Sequence, residues 1–278
     1  MAVLKTTQLN MSRILYALLA FATLTSCANS YNIQGSSNVS ILDGRMLYLK
    51  VYNDGELKNV DSCEVVHGQF HFQGTVDSAK MTTLFMDDKS VMPVVLESGD
   101  ITVRIDNTQQ VVTGTTLNEK LFKFIDEYNK LDNQVVDLGH KQSQAIMDGE
   151  DEQVTNARLT QEANIIAMRE DSLVTNFITD NFDNVLGPGV FMMVTAGYRY
   201  PELTPWIEDI MSKATDYFKN DPYVKDYYQK AQENQAIMNG MATPEVAPTQ
   251  PAPATTVPSV SLPVDSTLNA APLTKSPK

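Results

Sequence analysis

VMPVVLESGDITVRID, residues 91–106, sets two apolar runs on either side of Ser98, Gly99 and Asp100, three residues with turn chemistry. After the turn Ile101, Val103 and Ile105 alternate with Thr102 and Arg104, the period-two pattern of a half-buried antiparallel strand. Before the turn, Pro93 places its strand at a sheet edge, because proline has no N–H to give a ladder. The same plan occurs upstream. MLYLKVY (46–52) sets Leu47, Leu49 and Val51 on one face and Tyr48 and Lys50 on the other. CEVVHGQFHFQG (63–74) carries Val65 and Val66, a turn at His67 and Gly68, then Phe70 and Phe72 pointing one way, which predicts a hairpin. Seven or eight short strands at this spacing predict a β-sandwich-like domain over residues 31–115.

The period then changes. Thr116 followed by Glu119 is a capping box, and Leu117, Leu121, Phe124, Ile125, Tyr128, Leu131, Val135 and Leu138 recur at helical spacing as one buried face. The acidic loop DGEDE (Asp148, Glu150, Asp151, Glu152) precedes a second helix bearing Leu159, Ile166, Leu173, Val174, Phe177 and Ile178. Gly187, Pro188 and Gly189 break the pattern. Pro205 starts another helix with Ile207, Ile210, Met211, Ala214 and Phe218 inward, and Asp221 with Pro222 are the N-cap and first-position proline of the last one. Residues 116–240 therefore read as a helical domain, packed as a bundle or against one sheet face. Residues 241–278, rich in Pro, Ala and Thr and without apolar periodicity, read as a disordered tail that buries too little to offset the entropy of ordering. The fold class expected is α+β.

The N-terminus has its own logic. Lys5 and Arg13 precede the apolar run RILYALLAFATLT, no acidic residue occurs before Cys27, and the run is shorter than the roughly 20 residues of a membrane span. That is a secretory signal, starting at Met1 or Met11. Leu24, Thr25, Ser26 and Cys27 resemble the lipobox of bacterial lipoproteins, in which the signal is cut before a cysteine that receives a diacylglyceryl group and a further acyl chain. The resemblance implies a signal peptide over residues 1–26, a lipidated N-terminus over residues 27–30 and membrane lipid attached through Cys27. Several acyl chains hold a protein to a bilayer nearly permanently. Location in the cell envelope follows, the periplasmic face of the outer membrane being favoured over the cell surface because no acidic run follows Cys27.

Charge and motifs narrow the chemistry. The net charge of −13 opposes binding to phosphate backbones, so no nucleic acid partner is expected. With Cys27 modified, Cys63 has no intramolecular partner, and no Cys-x-x-Cys pair exists. Cys63 is a candidate reactive thiol if exposed and a small core residue if buried. His67 and His71 stand four apart in a hairpin and His140 is distant, which is not convergent ligand geometry, so no metal site is assigned. The acidic loop lacks the order of a calcium loop and suits a helix start. Nucleophile-elbow, zincin, dinucleotide and P-loop motifs are absent, so no catalytic residue and no cofactor is assigned. Trp206, Tyr198, Tyr200, Tyr223, Tyr227 and Tyr228 either build a core or line a groove.

Residues 31–131 resemble the domain of unknown function number 4369, found at the start of many thioredoxin-like lipoproteins of gut Gram-negative anaerobes. The residues that carry this are Asp61 and Ser62; Gly68, Phe70, Phe72 and Gly74; Leu96, Glu97 and Gly99; then Gly114, Thr115 and Asn118. In the typical relative a thioredoxin-like domain follows, whereas here the proline-rich tail stands in its place. DSA, DSL and DST also resemble the O-glycan acceptor pattern of the same bacterial group, making Ser78, Ser172 and Ser266 candidate glycosylation sites. The expectation is a lipid-anchored accessory or binding lipoprotein without catalysis of its own, meeting an envelope protein partner. The alternatives are a component of a thiol-disulfide system acting through Cys63 or a separate redox partner, and a small-ligand binder.

Overall fold

The computed structural model describes residues 29–53 and 55–241, so Cys27, Ser266 and the proline-rich tail lie outside the described residues. Within them the chain is α+β. Eight strands come first: β1 Ser30–Ser37, β2 Met46–Asn53, β3 Glu56–Glu64, β4 Gln69–Thr75, β5 Lys80–Met86, β6 Lys89–Leu96, β7 Gly99–Ile105 and β8 Gln110–Thr113. They form two four-stranded sheets, ordered β4-β1-β7-β8 and β3-β2-β5-β6. Leu47, Leu49, Phe70, Phe72, Ile101, Val103 and Ile105 fill the space between them, as the period-two pattern requires.

Two local expectations change. The hairpins read at residues 63–74 and 91–105 are corners between the sheets, because β3 and β6 belong to one sheet while β4 and β7 belong to the other. Val65 and Phe70 meet in one core from opposite walls, and only Val66 and Gln69 still bridge. His67 (φ 51°) and Gly68 (φ 71°) form the left-handed pair that reverses the chain there. The first sheet is also not purely antiparallel: β1 runs parallel to β7, Ile33 beside Ile101, and antiparallel to β4. Pro93 does lie in an edge strand, β6.

Six helices follow: α1 Thr116–Met147, α2 Glu152–Thr179, α3 Leu186–Thr195, α4 Pro205–Lys213, α5 Asp216–Lys219 and α6 Pro222–Met238. Their core, built on Leu121, Phe124, Ile178, Val190, Phe191, Ile207, Phe218 and Val224, includes Val95 of β6. Met92, Val94 and Leu96 of the same strand point into the sandwich instead. The second sheet thus packs against the first sheet on one face and, at β5 and β6, against the helices on the other, while its edge strand β3 has no buried residue.

The capping box at Thr116 does not form. Thr115 is the N-cap and gives no side-chain cap. Glu97 does the capping from the corner after β6, its Oε1 accepting from the Leu117 and Asn118 N–H groups at 3.0 and 3.3 Å. Glu119 reaches back only to the Gly114 N–H, at 3.4 Å. Asn118 is fully buried; its Oδ1 accepts from Val95 N–H at 2.9 Å and its Nδ2 donates to Val95 C=O at 2.8 Å. A side-chain amide thereby occupies the place of a fifth strand against the edge of β6.

Gly187, Pro188 and Gly189 also correct the reading: they are the buried first turn of α3, not a gap between helices. Proline is tolerated there because a first-turn N–H has no helical partner. The glycines are needed for contact. A Cβ on Gly189 would stand 2.8 Å from Met81 Cγ of β5, and one on Gly187 would stand 2.4 Å from the Asn181 carbonyl oxygen. The expected cap at Asp221 is present, accepting from the Tyr223 and Val224 N–H groups; Thr204, accepting from Ile207 N–H, and Asp151, accepting from Val154 N–H, cap two further helices.

Candidate functional site

Helices α1 and α2 are the longest elements, 32 and 28 residues, joined by the acidic loop into an antiparallel pair. Near its root the pair is built into the helical core, where Phe124 and Phe177 lie 4.3 Å apart. Further out it has a small core of its own, Leu138, Leu159 and Ile166 with Leu131 and Ala163. Val135, expected on the buried face, is 41 % exposed because that part of α1 has only α2 to pack against. Val136, Ile146, Met147, Val154, Ile165 and Met168 are exposed as well, Met147 at 81 %. At 1.5 Å per residue α1 is about 48 Å long, so this pair forms an arm.

One side of the arm holds a groove of about 580 Å³ between Glu127, Lys130 and Leu131 of α1 and Ile165, Met168, Arg169, Ser172 and Leu173 of α2. Its walls are aliphatic and its rim is charged, with Lys130 and Arg169 beside Glu127. Lys130 is held by Asp126 at 2.6 Å, a hydrogen bond that raises its pKa. Arg169 makes no ion pair among the described residues. Elsewhere on α2, burial first and then the Asp132 and Asp171 charges push Glu170 above the ordinary carboxylate range. Burial first raises Tyr128 and Tyr198; the charges of Glu170, Asp132 and Asp171 add to it at Tyr128, and those of Glu202 and then Asp171 at Tyr198. The groove therefore carries both signs of charge at its rim, Lys130 and Arg169 beside Glu127 and Asp126. Sequence periodicity gave no sign of it, because the groove depends on how two helices pair.

The aromatic residues fill the helical core. Phe191, fully buried, has Trp206 stacked at 6.1 Å and Phe218 and Tyr227 edge-on at 5.6 and 5.4 Å. Tyr223 bonds Thr195 at 3.0 Å, and Tyr227 donates to the Glu202 carbonyl. Tyr198 and Tyr200 remain exposed. The histidines do not converge: His67 is at its corner, His140 is exposed on α1, and His71 pairs with Asn32 Oδ1 at 2.7 Å on the outer face of the first sheet. Asn32 in turn donates to Asp100 at 2.7 Å. Among the described residues no cluster of three or more His, Cys, Asp or Glu could hold a metal ion. The acidic loop is engaged in helix starts, Asp151 as the α2 N-cap and Glu150 accepting from the Thr155 hydroxyl at 3.0 Å.

Ser78 is exposed in the loop between β4 and β5, whereas Ser172 lies on α2 with its hydroxyl donating to the Met168 carbonyl. Cys63 is half-buried in β3 and packs against the sandwich core. Burial pushes its thiol up to about 11, Asp61 adds to this, and a backbone hydrogen bond at His71 opposes it. A thiol favoured in the folded state means that stability falls as pH rises from the ordinary thiol range through that value. Alkylation of folded protein at pH 8 should be slow, rising about tenfold per pH unit towards 11, whereas denatured protein reacts at once. Fast labelling of the folded chain at pH 8, followed by mass spectrometry, would show a thiolate that this environment does not support.

The residues that carried the sequence resemblance now have places. Asp61 accepts from Tyr31 OH at 2.9 Å across the sandwich, and Tyr31 lies over Gly74, where a Cβ would stand 2.6 Å from its hydroxyl. Gly114 (φ 100°) passes the Asp100 carbonyl too closely for any side chain. Glu97 and Asn118 join α1 to the sandwich. No curated protein matches the chain. Residues 31–121, from β1 through that junction to the first turns of α1, match the model of a domain of unknown function, DUF4369.

Proposed function

We propose that this is a lipid-anchored cell-envelope binding protein, without catalysis of its own, that holds its α1–α2 arm out to a protein partner. The observation that carries the reading is the arm: helices paired through a thin core, with Met168 exposed at a groove that combines aliphatic walls with Lys130 and Arg169, and Val136, Met147 and Val154 exposed further along towards the tip. Exposed apolar surface rimmed by charge is the composition of a protein-binding surface. The lipobox-like Leu24, Thr25, Ser26 and Cys27 support attachment at the membrane, with the periplasmic face of the outer membrane as the place.

A photo-crosslinking residue placed at Met168 or Val154 in the native host, with Thr102 on the sheet as comparison, tests this. The expected result is one discrete product from the arm positions, absent from Thr102 and lost in a Cys27→Ala chain. The same abundant envelope neighbours at all three positions would overturn the reading.

A further inference from the structure

We propose that one pole of the sandwich rests directly on the bilayer and fixes the orientation of the whole molecule, an inference that rests on the reading of Cys27 as the lipid-bearing residue. The argument is one of chain length. Asn29 is already tied into the fold, its carbonyl accepting from Val76 N–H at 2.9 Å, and the next carbonyl, that of Ser30, accepts from Ser98 Oγ at 3.2 Å. Two virtual bonds of 3.8 Å separate the Cα atoms of Cys27 and Asn29, so the lipid-bearing cysteine stands at most about 8 Å from this anchored position. No flexible spacer is left between the membrane and the first strand.

The pairing defines what lies at that pole. Ser30 is opposite Thr75, and Tyr31 is opposite Gly99. The loop of residues 76–79 and the corner of residues 97–99 therefore flank the chain's entry, with Gly114 packed on Asp100 beside them. The exposed residues there are small or polar: Asp77, Ser78, Ser98, Gly99 and Asp100. Such a surface can approach headgroups closely without burying an apolar side chain. The turn of residues 106–109 and the His67 corner lie at the opposite pole, where Ser37 N–H donates to Gly68 C=O. Seven residues of β7 at about 3.3 Å each put that pole roughly 23 Å further from the bilayer.

The test uses full-length acylated protein in vesicles carrying headgroup nitroxide lipids. A fluorophore is attached to Ser98→Cys, to Ser78→Cys or to Thr108→Cys in a Cys63→Ala background, with Cys63→Ser as the second background. The Ser98 and Ser78 probes should lose most of their fluorescence and the Thr108 probe almost none. Twelve Gly/Ser residues inserted between Ala28 and Asn29, a coil of about 20 Å, should bring Ser98 to the Thr108 level. Equal quenching at both poles, in protein whose mass shows acylated Cys27, would overturn the orientation and leave the anchor standing. A mass showing unmodified Cys27 would overturn both.

Discussion

Replacing Asn118 by leucine should lower the stability of the folded chain by about 3 kcal/mol or more. The side chain is similar in volume, so the loss does not come from a cavity. It comes from Val95, whose N–H and C=O are both paired to the Asn118 amide inside a buried contact. Each main-chain group left without a partner there costs about 1–3 kcal/mol. For a chain of this size that corresponds to a melting temperature lower by roughly 6–12 °C. Glu97→Ala, which removes a carboxylate cap from the same junction, should cost only about 1 kcal/mol, the usual cost of losing a helix N-cap. Thermal and urea melts of the two variants decide it. Equal, small losses would mean that water already reaches Val95.

Gly187→Ala is the second large effect, and its sign runs against helix propensity. Alanine in place of glycine within a helix gains about 1 kcal/mol where there is room. At Gly187 there is none: the new Cβ would stand 2.4 Å from the Asn181 carbonyl oxygen and 3.2 Å from that of Ile178, both main-chain atoms of buried residues. Main chain cannot turn aside as a side chain can, so α3 must lift from the molecule, at a cost of about 3 kcal/mol. Gly139, an exposed position of α1 with nothing within 4 Å of its would-be Cβ, supplies the internal comparison. Gly139→Ala should raise the melting temperature while Gly187→Ala lowers it. A neutral Gly187→Ala would show that the α2–α3 corner yields easily.

How much of this was legible depends on whether a residue's role is local. The strands were readable because Leu47, Leu49, Ile101 and Val103 alternate along their own segments, and the helix starts at Pro205 and at Asp221 with Pro222 were readable because a proline or a cap acts within the first turn. What escaped joins distant parts. Two corners looked like hairpins because a left-handed pair at His67 and Gly68 serves a change of sheet as well as a return in the same one. Thr116 and Glu119 have the spacing of a capping box, yet Glu97, some twenty residues away, is nearer to the N–H groups concerned. Gly187 and Gly189 read as a break because the neighbours that demand glycine, Asn181 and Met81, come from other segments. The groove of the arm was invisible for the same reason, since Lys130 and Arg169 come together only when α1 and α2 pair.

The contact at Val95 has a meaning for solubility as well. An open sheet edge is a template on which another chain can add a strand, and β6 is an edge strand with a dense apolar centre, Met92, Val94, Val95 and Leu96. Val95 offers its outward donor and acceptor to Asn118, and Pro93, two residues away on the same side, has no donor to offer. The middle of that edge is therefore closed to a neighbour's backbone. An Asn118 variant that still folds would expose a growth point for aggregation, and the chain would be lost from solution at temperatures well below its melting transition.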